Sequence, residues 1–317
     1  MPSRFQHGVL ATPNVGSELA GLWTNRLYFV DGDGGSDSND GLSPGGAFAS
    51  LGQAVATASR DDTIYVRARA VGVRYTEAIT VPVTTHAGLS IIGTGNGKGN
   101  SVYQACSFRT TTNAIDSPVL TLNSSHANIE NLHFWSRAGQ THGFGILARW
   151  NTPVGLALNI GSSIVNCTFS NDYEDNPAGA GVVQSAIRFD STEGQLVEGC
   201  FFRDCRVGIS VGSTQSASYS IIVKDNLFKG IASNIAADLM LSDTTGIEIV
   251  GNYFGHAVPT HAAGTMTKYI FCIGGTTVTG GVVNNFQGAA AVAFGTNNTA
   301  NSLIAAGNFG LGGPWTS

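Results

Sequence analysis

Seven phenylalanines recur along the chain as markers: Phe134, Phe169, Phe202, Phe228, Phe254, Phe286 and Phe309, spaced 35, 33, 26, 26, 32 and 23 residues apart. That spacing is too uneven for a helical solenoid. It fits coils of a β-solenoid whose turns carry insertions of varied length. Five positions before the markers stand Ile129, Ile164, Val197, Val223, Ile249, Gly281 and Ile304. All but Gly281 are β-branched and apolar, as an inward strand position requires. Three positions before the first five markers stand Asn131, Asn166, Gly199, Asp225 and Gly251. These residue types tolerate a left-handed backbone, so the pattern predicts a sharp bend there in every coil. The last two coils carry Val283 and Ala306 at that place, with Asn284 and Gly307 one residue later, and a turn one residue shorter would restore the bend.

Two positions before the markers stand Leu132, Cys167, Cys200, Asn226, Asn252, Asn284 and Gly307. Stacking at the ~4.8 Å spacing of neighbouring strands would set Cys167 above Cys200 and Asn226 beside Asn252, the latter pair hydrogen-bonded as a ladder. A second strand per coil reads from Gly145-Ile146-Leu147, Ala186 to Phe189, Gly208 to Val211 and Ala291 to Phe294. Before the coils, Leu27 to Val30 and Thr63 to Val66 read as strands, and Ala78 to Val83 as another. Ser50-Leu51-Gly52-Gln53 has capping-box spacing, and Leu51, Ala54, Val55 and Ala58 give one apolar face to a helix over 51–58. That helix could cover the open end of the strand stack. The expected fold is all-β: a right-handed parallel β-helix with a short N-terminal capping helix. Residues 1–26 form an irregular arm for attachment or assembly, and 27–317 form a single β-helix domain.

Composition narrows the function. The 317 residues carry Lys+Arg 16 against Asp+Glu 21, a net charge of −5, so no basic surplus exists for nucleic acid. Charged residues make up 12%, about half of what is usual for soluble domains. Gly, Thr, Ser and Asn replace them, a mixture suited to stacked strands and tight turns. No apolar run reaches the ~18–20 residues of a membrane span. Residues 1–26 lack the apolar core of a signal peptide. Five scattered cysteines argue against a disulfide framework, and the lone close pair, Cys200 and Cys205, has no second couple to complete a zinc site. The expected origin is a cytoplasm.

The segment from Leu27 to about Val83, with DGDGGSDSNDGLSP, AFASLGQAVATA and DDTIYV, resembles the opening of pectate-lyase-like β-helix proteins. The Ile/Asn/Phe coils continue the resemblance to about residue 310. The superfamily holds polysaccharide lyases, glycoside hydrolases, bacteriophage tailspikes and non-enzymatic phage structural proteins, so fold alone does not settle function. The resemblance implies, for a lyase, calcium-binding acids and an R-x-P-x-x-R string. For a polygalacturonase-like hydrolase it implies N-T-D, D-D, G-H-G and R-I-K segments in consecutive coils. Neither set stands in the coil region, where Thr141-His142-Gly143 comes nearest.

A hydrolase needs two carboxylates roughly 5 to 9.5 Å apart on one face. Asp190, Glu193, Glu198 and Asp204, with Arg188, Arg203 and Arg206, are the suppliers, and the alternative is a solvated stretch whose charges pair with one another. Asp172, Glu174 and Asp175 sit in an insertion and read as a solvated loop. Tyr173, Trp150 and Tyr253 are candidates for stacking on sugars. In the opening loop Asp31, Asp33, Asp37 and Asp40 offer oxygen ligands for a structural Ca²⁺, with turn closure by local hydrogen bonds as the alternative. No other cofactor is expected.

Two functions stand at this point. One is a bacteriophage virion protein, a trimeric capsid decoration or cement protein whose partners are copies of itself and the major capsid or other virion proteins. Low charge, no matched catalytic string and the irregular arm point to it, and related β-helices often form trimers. The other is a tailspike-type or free carbohydrate-active enzyme acting on a host surface polysaccharide. A bacterial surface adhesin is a weaker third reading, because no export signal is evident. Neither nucleic acid nor membrane is an expected partner.

Overall fold

The computed structural model describes residues 25–83, 85–95, 106–111, 118–135, 145–149, 159–170, 185–203, 205, 207–212, 217–229, 237–255, 269–273, 276–287 and 302–310. Strands stack in parallel into three sheets, and the coils from Thr63 to Cys272 contribute to all three in turn. Sheet A runs from Leu27–Val30 through Ser163–Val165 and Ile222–Lys224 to Ser302–Ala306. Sheet B runs from Tyr75–Thr76 to Phe309–Gly310, and sheet C from Ile79–Val81 to Ile270–Cys272. The chain is a right-handed parallel β-helix, with Leu51–Thr57 as its one helix among the described residues.

The inward columns follow the hydrophobic pattern. Phe134, Phe169, Phe202, Phe228 and Phe254 are aligned strand to strand and fully buried. Their rings stack with centroids 4.6 to 5.1 Å apart. The column begins earlier than expected, with Tyr75 and Phe108 above Phe134. The bend column is also present. Asn131, Asn166, Gly199, Asp225 and Gly251 all have φ between 54° and 66°.

The last two coils differ from the expectation. Asn284 and Gly307 hold the bend, with φ of 53° and 62°, so the turn is not shortened; the phenylalanines are out of phase. Gly251-Asn252-Tyr253-Phe254 aligns with Asn284-Asn285-Phe286-Gln287, which pairs Phe286 with Tyr253 on the outward side. Correspondingly, Val282 and Ala305 continue the Ile249 column in place of Gly281 and Ile304. The asparagine ladder explains this register. Asn226 Nδ2 donates to Asn252 Oδ1, Asn252 Nδ2 to Asn285 Oδ1, and Asn285 Nδ2 to Asn308 Oδ1, each at 3.0 Å. Each of these Nδ2 groups also reaches a carbonyl of the preceding coil: Val197, Val223 and Ile249. A one-residue slip would orphan this buried set, at about 1–3 kcal/mol per group. Cys167 and Cys200 fill the same column higher up, and their thiols face the equivalent carbonyls of Ile129 and Ile164.

The N-terminal end is closed by the helix, whose Leu51, Ala54 and Val55 are buried over the first coils. Only half of the expected capping box forms. Ser50 Oγ accepts from Gln53 N at 3.2 Å, but the Ser50 N–H goes to Asp37, while Gln53 turns to Thr57. Glu77 takes the next two amides, Leu51 N at 3.1 Å and Gly52 N at 2.7 Å. The strand expected over 78–83 is Ile79–Val81, preceded by Tyr75–Thr76. The segments 1–24 and 291–294 lie outside the described residues.

Candidate functional site

The coil carrying the nominated acids distributes them over three sheets. Arg188 and Asp190 project from Ser185–Asp190 in sheet C, Glu193 and Glu198 belong to sheet A, and Arg203 lies in sheet B. Strand alternation turns Arg188 and Asp190 outward together, and they form a two-pronged pair: Nε to Oδ1 at 3.0 Å and Nη2 to Oδ2 at 2.9 Å. Glu198 pairs with Lys224 of the next coil at 3.0 Å. The structure thus brings Arg188 to Asp190 and Glu198 to Lys224, and leaves Asp190 and Glu198 on different sheets. Glu193 shares sheet A with Glu198. Asp204, Arg206, Trp150 and the segments 141–143 and 172–175, including Tyr173, lie outside the described residues.

The opening-loop aspartates build the N-terminal end. Asp31 accepts from the amides of Asp33 and Gly34 and pairs with Arg67. Burial pushes its carboxyl up, but the Asp33 amide, the Arg67 guanidinium and the Gly34 amide outweigh this and hold it below the ordinary range. Asp33 is held low by the Ala70 amide first and then by Arg69. Asp37 takes both the amide and the hydroxyl of Ser50, and Asp40 closes a turn through Leu42 N. Among the described residues no three His, Cys, Asp or Glu side chains converge as a metal-ligand set.

Two features were not visible in the sequence. His133 occupies an outward position of sheet B yet is 2% exposed. Its Nε2 lies 3.0 Å from Ser170 Oγ and its Nδ1 3.5 Å from Ser107 Oγ, with the Trp135 ring beside it. Burial, then Arg74 and Arg203, lower its pKa to about 3. A Ser–His pair is the core of many nucleophilic sites. This one is enclosed and its imidazole is too weak a base at neutral pH, so it serves as a buried polar lock. Its alignment spans three coils, which no local motif reports.

The second feature is a groove of about 370 Å³ on the first coils of sheet A, lined by Phe29, Tyr65, Ala47, Pro44, Arg67 and Asp31. The Phe29 and Tyr65 rings lie 6.3 Å apart, and the Arg67 side chain is 69% exposed.

Lower on sheet B the outward column turns apolar. Thr168, Phe201, Leu227, Tyr253 and Phe286 follow one another in register. Leu227 is 36% exposed, and Tyr253 and Phe286 are each 47% exposed. A straight apolar stripe therefore runs along the C-terminal coils. Tyr253, a candidate sugar platform, is part of it.

No protein-family model and no curated protein matches the chain. Solved structures do. A GH136 lacto-N-biosidase from Eubacterium ramulus is 13% identical with a TM-score of 0.54, over 92% of this chain and 56% of that one. An alginate lyase from Paenibacillus sp. str. FPU-7 is 12% identical with a TM-score of 0.46, over 82% of this chain and 94% of that one. The pectin methylesterase from Aspergillus niger is 16% identical with a TM-score of 0.45, over 92% and 87%. At these identities the likeness is one of fold: the chain is a parallel β-helix.

Proposed function

We propose that this chain is a non-catalytic structural component of a bacteriophage particle, a homotrimeric decoration or cement protein on the particle surface. The observation that carries this reading is the exposed stripe of Leu227, Tyr253 and Phe286. Large apolar side chains aligned along a rigid rod lower the free energy most when another surface covers them. The tied-up acids support the same reading, since Asp190 and Glu198 are engaged by Arg188 and Lys224. The arm, residues 1–26, is the proposed attachment to the major capsid protein. Particles assembled with a chain lacking residues 1–26 should carry none of it, while the truncated protein stays folded and trimeric. Undiminished incorporation would remove the arm's role. Immuno-electron microscopy that finds the protein on no particle would remove the reading itself.

The groove at Phe29, Tyr65 and Arg67 favours a second reading, a carbohydrate-active protein, because apolar rings beside an exposed guanidinium suit a sugar's mixed surface. Binding of a host polysaccharide by purified protein, lost in Phe29→Ala/Tyr65→Ala while the circular dichroism is kept, would support it.

A further inference from the structure

We infer that the stripe on sheet B is one half of a head-to-tail interface between copies of this chain, closed around a threefold axis parallel to the solenoid. This rests on the reading of the chain as a self-associating component and adds the surface, the orientation and the ionic contact. Asp225, Leu227 and Lys229 face outward from one coil at alternate positions, and all three are exposed. At the Leu227 coil the apolar stripe is thus edged by an acid on its bend side and by a base on the other, with uncharged Gly199, Gly251 and Asn284 at the bend of the neighbouring coils. Neither Asp225 nor Lys229 makes an ion pair among the described residues.

Around an axis parallel to the solenoid, equivalent residues of every copy lie at one height. Lys229 of one copy is then level with Asp225 of the next, with the apolar columns between them. The two flanks differ in sign, so the contact joins unlike edges. Such heterologous contacts close into rings. A second copy also repeats along its length at the same ~4.8 Å interval, so each coil meets a coil.

The test is sedimentation equilibrium of the full chain with charge variants. Lys229→Glu sets two acids against each other and should lower the mass about threefold, from trimer to monomer, with an unchanged circular dichroism spectrum. Asp225→Asn in the Lys229→Glu background should return the trimer. Asparagine is native at this bend in other coils, with Asn131, Asn166 and Asn284 at φ of 53° to 57°. A Lys229→Glu protein that sediments as wild type, or a folded double variant that stays monomeric, overturns this interface and leaves self-association standing. A monomeric wild-type protein overturns both.

Discussion

The N-terminal and C-terminal coils share one backbone plan and treat their surfaces in opposite ways. In the upper coils the outward column of sheet B is polar and buried, with Ser107, His133 and Thr168 all enclosed. In the lower coils the same column is apolar and open at Leu227, Tyr253 and Phe286. The turn column changes at the same level, from the thiols of Cys167 and Cys200 to the ladder of Asn226, Asn252 and Asn285. The ends differ too. A helix closes the top, whereas Ile304 in the last strand of sheet A is 74% exposed. The upper half is finished within one chain. The lower half is tied together by amides and presents an apolar surface to solvent.

The largest expected effect separates two kinds of phenylalanine. Phe202→Ala should cost about 3–5 kcal/mol in a denaturant titration, because Phe169 and Phe228 stack on both faces of the ring. Phe286→Ala, measured in the monomeric Lys229→Glu background, should cost less than about 1 kcal/mol, since its ring is outward in the single chain. Equal losses would erase the distinction between the inner and outer columns.

The turn column should show a graded loss. Asn252→Ala removes the acceptor of the Asn226 amide and side chain and should cost about 2–4 kcal/mol. Cys200→Ala, which loses a weaker thiol contact, should cost about 1 kcal/mol. A larger loss for Cys200→Ala would reverse the proposed roles of the two halves.

Acid should act on the upper half. The folded pKa of His133, about 3, lies below the unfolded value, so the unfolded chain binds the proton first. This contribution to stability is complete above the unfolded pKa of about 6.5 and is lost as pH falls toward the folded value, about 2 kcal/mol between pH 7 and 5. Glu77 works in the other direction, because burial raises its pKa despite two amide bonds and its contribution declines as pH rises. His133→Gln should therefore flatten the fall in stability below neutral pH. An unchanged pH profile in that variant would mean that His133 is not held neutral.

The smallest effects belong to the bend. A Cβ at Gly251 would lie 2.5 Å from Asp225 Oδ1, and one at Gly199 would lie 2.7 Å from Asn166 Oδ1. Large and small residues therefore alternate down this column. Gly251→Val should be the most harmful change there, being β-branched at φ 66°. Gly251→Asn should cost about 1–2 kcal/mol, and adding Asp225→Gly should recover part of it. Additive losses in that double variant would argue against the contact.

Much of the solenoid was legible because its columns are written in residue types with one physical use. Asn, Asp and Gly mark the left-handed bend, and β-branched residues mark the interior. The phase of the last two coils was not legible from the phenylalanines, since an aromatic side chain suits an inner stack and an outer stripe equally well. Only the amide ladder from Asn252 through Asn285 to Asn308 fixes it. The candidate site was less legible. The cluster from Arg188 to Arg203 is dense in sequence but is divided among three sheets by the coil. The partners of Asp31 and Asp33 in the opening loop, Arg67, Arg69 and Ala70, lie more than 30 residues on in sequence, so no local motif reports them. His133 and Ser170 meet across coils 37 residues apart in sequence.

Self-association through the lower coils is the central claim, and sedimentation equilibrium of Tyr253→Ser/Phe286→Ser beside the wild-type chain tests it most directly. Both side chains are outward, so the folded monomer should keep its circular dichroism spectrum. The account predicts a trimer for the wild type and a monomer for the variant. A variant that remains trimeric, or a wild type that is monomeric at the same concentration, would contradict it.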